Sequence, residues 1–266
     1  MARSIIVSSI LDNIVAFKLS EIAAAKSLRS GSSLHRQIDL QPAAQDFLAA
    51  LRKPTPVSLI AEVKKASPSK GVIRAEFDAV AIAKTYSENG ASCISVLTDE
   101  HFFQGRLEYL RAIRAAVDIP LLRKDFILDE YQIIEARAAG ADAVLLIAEC
   151  LEPLQLLDLH QVICELGMTP LVELYDERNL AAVLACQPQL VGINNRDLNT
   201  FNVDLHHTLR IKRQLPPQVM VVSESGIETA EDVRLLREHR IDAMLVGESL
   251  MRADDIGAAV RNLLAR

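Results

Sequence analysis

The stretch Leu59-Ile60-Ala61-Glu62-Val63-Lys64-Lys65-Ala66-Ser67-Pro68-Ser69-Lys70-Gly71 combines an apolar run, alternating charges and a Ser-Pro-Ser-Lys-Gly loop. A period of two puts Glu62 and Lys64 on the same side of a strand. An edge strand can carry such a pair harmlessly. The pattern recurs, however, in Leu122-Arg123-Lys124-Asp125-Phe126 and Leu171-Val172-Glu173-Leu174, where apolar runs again end in charge. Two lysines and two glutamates meeting in one pocket are suited to acid–base work, because neighbouring charges and burial move each pKa. A partly desolvated lysine, or one beside another lysine, is expected to have a lowered pKa and to donate its proton more readily near neutrality, with Glu62 opposing that shift.

These residues need a scaffold that brings strand ends together. Eight short apolar runs read as strands: Ser58–Val63, Cys93–Leu97, Pro120–Arg123, Ala143–Ile147, Pro170–Leu174, Leu190–Ile193, Val219–Val222 and Ala243–Val246. Their starts lie roughly 20 to 35 residues apart, which suits βα units with short connections. Near-continuous apolar character means burial on both faces, as in a parallel sheet. Asp78–Asn89, Glu130–Ala139 and Thr229–His239 read as intervening helices. A weak repeat agrees: Asn89-Gly90-Ala91-Ser92-Cys93 resembles Ala139-Gly140-Ala141-Asp142-Ala143, with Arg240-Ile241-Asp242-Ala243 as a looser copy. Each is a helix end, a turn and a buried strand.

The pattern predicts an α/β fold, a (β/α)8 TIM barrel with a helical N-terminal extension. A doubly wound open sheet is the alternative, but no GxGxxG follows an early strand. Residues 1–56 read as the extension, with stripes at Ile6, Ile10 and Ile14 and at Leu11, Val15 and Leu19, and Pro54 and Pro56 mark the start of the barrel. The whole of 1–266 is expected to form one domain, with the extension capping or flanking the barrel.

In such a barrel the C-terminal strand ends form the site. They supply Glu62, Lys64 and Ser67, then Lys124, then Glu173, then Asn194, Asn195 and Arg196, then Ser223, Glu224, Ser225 and Gly226, and last Gly247, Glu248 and Ser249. The loops after strands seven and eight are where barrels bind phosphate, and glycines there let it approach the backbone. Simple turn glycines are the competing reading. Lys65, Lys70 and Arg123 read as surface charges or helix-side ion pairs. Asn194–Asp197 reads equally as a polar turn, and His206-His207 as a solvated pair. Phe126 follows the Lys124 strand end and is placed to line an aromatic pocket.

The chain has 266 residues, half of them hydrophobic and 24% charged, with a net charge of −6. That balance gives no support to a nucleic-acid surface. Cys93, Cys150, Cys164 and Cys186 are scattered with no CxxC pair and no metal-like His spacing, so neither a disulfide framework nor a metal site is expected, and the compartment is expected to be reducing. The apolar N-terminus is interrupted by Asp12 and Asn13 and reads as a helix, not a signal peptide. No uncharged apolar run approaches the ~18 residues of a membrane span.

Six segments, in order, resemble the indole-3-glycerol phosphate synthase family. They are Ile60–Ser69, Leu122–Ile127, Leu171–Glu173, Gly192–Leu198, Ser223–Ile227 and Val246–Met251; Ile10–Val15 resembles the family's N-terminal helix. The resemblance implies closure of 1-(2-carboxyphenylamino)-1-deoxyribulose 5-phosphate to indole-3-glycerol phosphate, with loss of carbon dioxide and water, in tryptophan biosynthesis. The implied catalytic set is Glu62, Lys64, Lys124, Glu173, Asn194 and Ser225. Within it Lys124 is the general acid, Lys64 pairs with the anthranilate carboxylate, Glu173 serves dehydration, and Glu62 orients the lysines. Ser67, Phe126, Arg196, Leu198, Gly226, Gly247 and Glu248 would bind the substrate, Phe126 and Leu198 at the ring, Arg196 as a positioning group, and the rest on the phosphate side. Some members carry a small hydroxyl residue in place of Glu248, so its backbone N–H rather than its carboxylate is expected at the phosphate. The Ser67–Gly71 loop is a candidate lid. The resemblance implies no cofactor and no metal, a small phosphorylated substrate as the partner, no nucleic acid or membrane, a monomer or weak homo-oligomer, and a cytoplasmic location.

Overall fold

Period-two alternation along each strand separates two apolar layers and so dictates the architecture. The computed structural model describes residues 10–52, 57–197 and 200–265; Ile6, Pro54 and Pro56 lie outside them. Eight parallel strands close into a barrel: β1 (Ser58–Val63), β2 (Cys93–Leu97), β3 (Leu121–Lys124), β4 (Ala143–Ile147), β5 (Thr169–Leu174), β6 (Leu190–Asn194), β7 (Met220–Glu224) and β8 (Ala243–Val246). Each pairs with its neighbours in sequence, and β1 closes on β8 with Ser58 opposite Ala243. The expected strands are all present, with ends within two residues of those expected.

Ile60, Leu122, Leu171, Leu190, Val222 and Leu245 form one buried cluster inside the barrel. Their neighbours Leu59, Leu121, Val172, Val191, Val221 and Met244 belong to the layer between sheet and helices. The inward parity continues up β1, β3, β5, β6 and β7 to Glu62, Lys124, Glu173, Asn194 and Glu224. The charged set is therefore the top layer of the interior, standing on an apolar floor.

Among the described residues three helices precede the barrel: α1 (Ile10–Leu28), α2 (Gly31–Ile38) and α3 (Phe47–Leu51). Nine more accompany or follow the strands: α4 (Ala79–Glu88), α5 (Leu107–Arg114), α6 (Glu130–Ala138), α7 (Pro153–Glu165), α8 (Leu180–Ala185), α9 (His206–Lys212), α10 (Ala230–Glu238), α11 (Glu248–Arg252) and α12 (Ile256–Leu264). Asp78 caps α4, and capping boxes at Asp129/Gln132 and Thr229/Asp232 start α6 and α10. The repeated turn is left-handed in all three copies, at Gly90, Gly140 and Arg240 (φ +106°, +90° and +54°).

The N-terminal helices wrap the barrel from mouth to base. Ile10, Leu11 and Ile14 of α1 reach the mouth. On α2, Leu34 packs with Tyr131, Ile134 and Ala138 of α6. Phe47, Ala50 and Leu51 of α3 join the interior cluster, and Leu51 O accepts a hydrogen bond from the Ser58 hydroxyl at 2.7 Å, so α3 closes the base. No helix among the described residues is long and apolar enough to cross a membrane.

Candidate active site

The pocket at the C-terminal strand ends contains Glu62, Lys64, Lys124, Glu173, Asn194 and Glu224 at its floor. Glu62 and Lys64 form an ion pair of 2.6 Å, as their shared strand face demands. Lys124 Nζ lies 3.0 Å from Glu173 Oε2 and 2.9 Å from Glu224 Oε2. Asn194 donates to Glu173 Oε1 at 3.1 Å and accepts from the Arg196 N–H at 3.0 Å. These hydrogen bonds hold Glu173 with one oxygen on the ammonium and the other on the amide.

Two glycines make room for this floor. A Cβ on Gly192 would overlap Glu224 Oε1, and one on Gly247 would overlap Glu62 Oε1. Gly247 thus admits the Glu62 side chain beside the loop after β8.

Burial alone would lower the Lys124 pKa, but attraction from Glu173, then Glu224 and Glu62, outweighs it and holds the ammonium well above the ordinary lysine range. The expected lowering of a catalytic lysine is therefore corrected for Lys124: three converging carboxylates overcome desolvation. Burial raises Glu224, Lys124 pulls it back and Glu173 pushes it up, leaving its pKa at about 8. Burial opposes ionisation of Glu173 as well, yet Lys124 and hydrogen bonds from Glu224 and Asn194 bring its pKa below the usual carboxylate value. The two carboxyls form a coupled dyad around Lys124, in which burial and the Glu173 charge hold Glu224 above the usual carboxylate range. Glu224 was legible only as one polar residue of the Ser223–Gly226 turn; its inward parity was the available signal.

One wall of the pocket is apolar. Phe126 and Phe103 face each other with ring centroids 6.1 Å apart, and Ile10, Leu11 and Ile14 of α1 complete the surface. Phe126 is brought in as expected, whereas Phe103 and the α1 side chains add a wall the strand ends did not reveal. Leu198, expected at the ring, lies outside the described residues.

Ser67, Ser225, Gly226, Gly247, Glu248 and Arg196 also line the pocket. The loop after β7 turns sharply through left-handed Ser225 and Gly226 (φ +67° and +78°), a strained geometry for serine. Ser67 Oγ is buried without a hydrogen-bond partner. The candidate lid is a small antiparallel hairpin in which Ala66–Ser67 pair with Gly71–Val72. The Glu248 carboxylate turns to Arg252 Nε at 3.2 Å and Arg196 at 3.5 Å.

Several neighbours prove structural. Arg123 points outward and pairs with Asp125 and Glu135 at 3.1 and 2.9 Å, the helix-side alternative. Asn195 is buried, bonding Ser223, Ser225 O and Thr208, so it secures the β6–β7 turn region instead of facing the pocket. The solvated reading of His206-His207 is corrected for His207, which is buried with Nε2 2.7 Å from Tyr175 O; the turn of α9 that exposes His206 buries its neighbour.

A closed parallel barrel, a charged floor at its C-terminal mouth and glycine turns after its last two strands define an acid–base enzyme of the (β/α)8 class. Solved structures share the fold: 3-hexulose-6-phosphate synthase from Salmonella typhimurium matches with a TM-score of 0.64 at 14% identity, over 78% of this chain and 97% of that one. The chain belongs to the indole-3-glycerol phosphate synthase family, whose model matches residues 11–263. The indole-3-glycerol phosphate synthase of Rhodopirellula baltica is 53% identical over 257 residues, covering 97% of this chain and 99% of the relative. That of Bordetella pertussis is 49% identical over 261 residues, covering 97% and 100%.

Proposed function

We propose that this pocket closes 1-(2-carboxyphenylamino)-1-deoxyribulose 5-phosphate to indole-3-glycerol phosphate, the decarboxylating lyase step of tryptophan biosynthesis that gives the family its name. The observation that carries the assignment of roles is the Lys124 ammonium, fixed between Glu173 and Glu224 and facing an apolar wall.

The aromatic ring lies against Phe126. Lys64, steadied by Glu62, receives the anthranilate carboxylate. Asn194 and Arg196 position the sugar, Arg196 from the side on which the phosphate sits. The phosphate takes Ser67, Ser225 and the backbone N–H groups of Gly226, Gly247 and Glu248, since first-turn helix N–H groups have no acceptor within the helix.

Ring closure joins the ring carbon bearing the carboxylate to the ketone carbon. Negative charge then develops on the ketone oxygen, and Lys124 is aimed to neutralise it. A strongly held proton suits this role: the ammonium is always loaded at neutral pH, and the developing alkoxide is basic enough to take the proton. Loss of carbon dioxide returns an electron pair to the ring. The new hydroxyl then leaves as water on receiving a proton, while Glu173 removes the proton whose loss completes the indole. Glu224, held above the usual carboxylate range, is placed to reload Lys124.

The same reading has the chain act as one barrel domain with residues 1–56 as its extension. It works as a monomer or weak homo-oligomer in the cytoplasm, on a small phosphorylated substrate and without metal or cofactor. The test is indole fluorescence from synthetic substrate with no metal or nucleotide added. Lys124→Ala is expected to lose at least about 1000-fold in kcat, the scale of a general acid, while its circular dichroism is unchanged. Near-normal turnover in that variant would remove the assignment.

A further inference from the structure

We infer that the Glu248 carboxylate is a built-in stand-in for the substrate phosphate: with the site empty it holds Lys70 and Arg196, and the arriving phosphate takes them over. The inference rests on the placement of the phosphate proposed above.

Glu248 lines the pocket beside Ser225 and Gly226. Three cations surround its carboxylate, from three parts of the chain. Arg252, one turn along α11, lies 3.2 Å from Oε1; Arg196, just after β6, lies 3.5 Å from Oε2; Lys70, in the turn of the Ala66–Val72 hairpin, lies 3.9 Å from Oε1. Three positive charges on one carboxylate leave a surplus of two. A phosphate monoester carries about −1.5 to −2 near neutrality, so it fits that surplus. The other cations of the pocket are engaged, Lys64 by Glu62 and Lys124 by Glu173 and Glu224. Glu228, which is exposed, also lines the pocket.

The contacts differ in how firmly they hold. Arg252 shares a helix with Glu248, so its pairing survives any loop movement. Lys70 and Arg196 reach over from separate loops at longer range, and Lys70 is half-exposed, so each contact is weak and exchangeable. Nearby, the Ser67 hydroxyl is buried and unpartnered on the strand that carries the hairpin. The hairpin and the β6 loop are therefore latched together across the mouth by a carboxylate that a stronger anion can replace. Glu248 also selects its ligand. It competes for the two cations, so a ligand of lower charge gains less from displacing it than a dianion does.

The direction of the effect separates this role from a scaffolding one. Inorganic phosphate is titrated calorimetrically into the parent, Glu248→Gln, Glu248→Ser, Lys70→Ala and Lys70→Ala/Glu248→Gln enzymes, and its competition with substrate is measured. Both Glu248 variants are expected to bind phosphate about fivefold tighter, the size of one exposed ion-pair competitor. Lys70→Ala is expected to weaken binding, and more so in the Glu248→Gln background, where Lys70 has no internal partner to leave. Equal or weaker phosphate binding in both Glu248 variants means the carboxylate merely organises the cations, and overturns the inference. Phosphate that binds the parent without competing with substrate overturns instead the placement of the phosphate on which the inference rests.

Discussion

Glu224 extends Oε1 into the space that a Cβ on Gly192 would fill, one strand away on the barrel interior. Gly192 also lies opposite Glu173 in register. The position between the two carboxyls of the dyad thus admits a side chain only by displacing Glu224. Gly192→Ala is expected to push Glu224 away from Lys124 at an overpacking cost of about 1–3 kcal/mol. We expect kcat to fall by about 100-fold or more, the scale of disturbed proton transfer, while the variant still folds. A Gly192→Ala enzyme with parental kcat would show that Glu224 is not needed where it stands.

The barrel was legible in the sequence because parallel strands are buried on both faces and read as unbroken apolar runs. Parity did the rest for Glu62, Lys124 and Glu173, each two residues beyond an inward apolar residue. Glu224 has the same parity after Val222, but the Ser-Glu-Ser-Gly context reads as a turn, and its meaning depends on Gly192 in another strand. The sign of the Lys124 pKa shift was hidden for a related reason. It depends on three carboxylates that only barrel closure brings within reach. The apolar wall from α1 is a contact across about a hundred residues, and no local pattern encodes it.

Glu224 gives stability a pH dependence of definite sign. Its folded pKa of about 8 is above the ~4.3 of an unfolded glutamate. A raised carboxyl pKa means the folded state binds the proton more tightly. That contribution is fully present below about pH 4 and is lost as pH rises through about 8. Glu173 is shifted the other way, so its contribution is present above the unfolded carboxyl pKa and lost on acidification. Between pH 5 and 8 the unfolding free energy of the parent is expected to fall by at most about 1.4 kcal/mol per pH unit from this group, and its Tm to fall with it. Glu224→Gln, which mimics the protonated form, should flatten that slope. Parallel Tm-against-pH curves for the two proteins would count against a proton held on Glu224.

Phe126 offers a test of which end of the substrate meets which wall. It faces Phe103 over the pocket. Phe126→Ala is expected to remove about 2 kcal/mol of ring contact, roughly 30-fold in KM. Affinity for a ring-less pentose phosphate should stay within about twofold, because that ligand has no ring contact to lose. Equal losses for both ligands would place the ring elsewhere.

Lys18 binds the N-terminal helix to the active strand ends through a buried ionic cluster. Its ammonium lies 2.8 Å from Asp99, 3.0 Å from Asp125 and 2.7 Å from Glu21, and it is almost fully buried. Burial would lower its pKa, but Asp125 and Asp99 reverse that shift and keep it charged. Asp99 also accepts the N–H groups of Phe102 and Phe103, and Asp125 adjoins both Lys124 and Phe126. One cation therefore holds α1, the Phe103 loop and the end of β3 in register. Lys18→Met takes the ammonium from two buried carboxylates, leaving Asp99 with its backbone N–H donors and Asp125 with Arg123, at a cost of up to about 3–5 kcal/mol. Lowered Tm alone would follow from any core defect, so the informative readout is kinetic. Displacing Ile10, Leu11 and Ile14 from the wall should raise KM more than it lowers kcat, and Lys18→Met/Asp99→Asn should recover part of the Tm by removing one of those two charges. If Lys18→Met lowers Tm while leaving KM untouched, α1 supports the barrel without shaping the pocket.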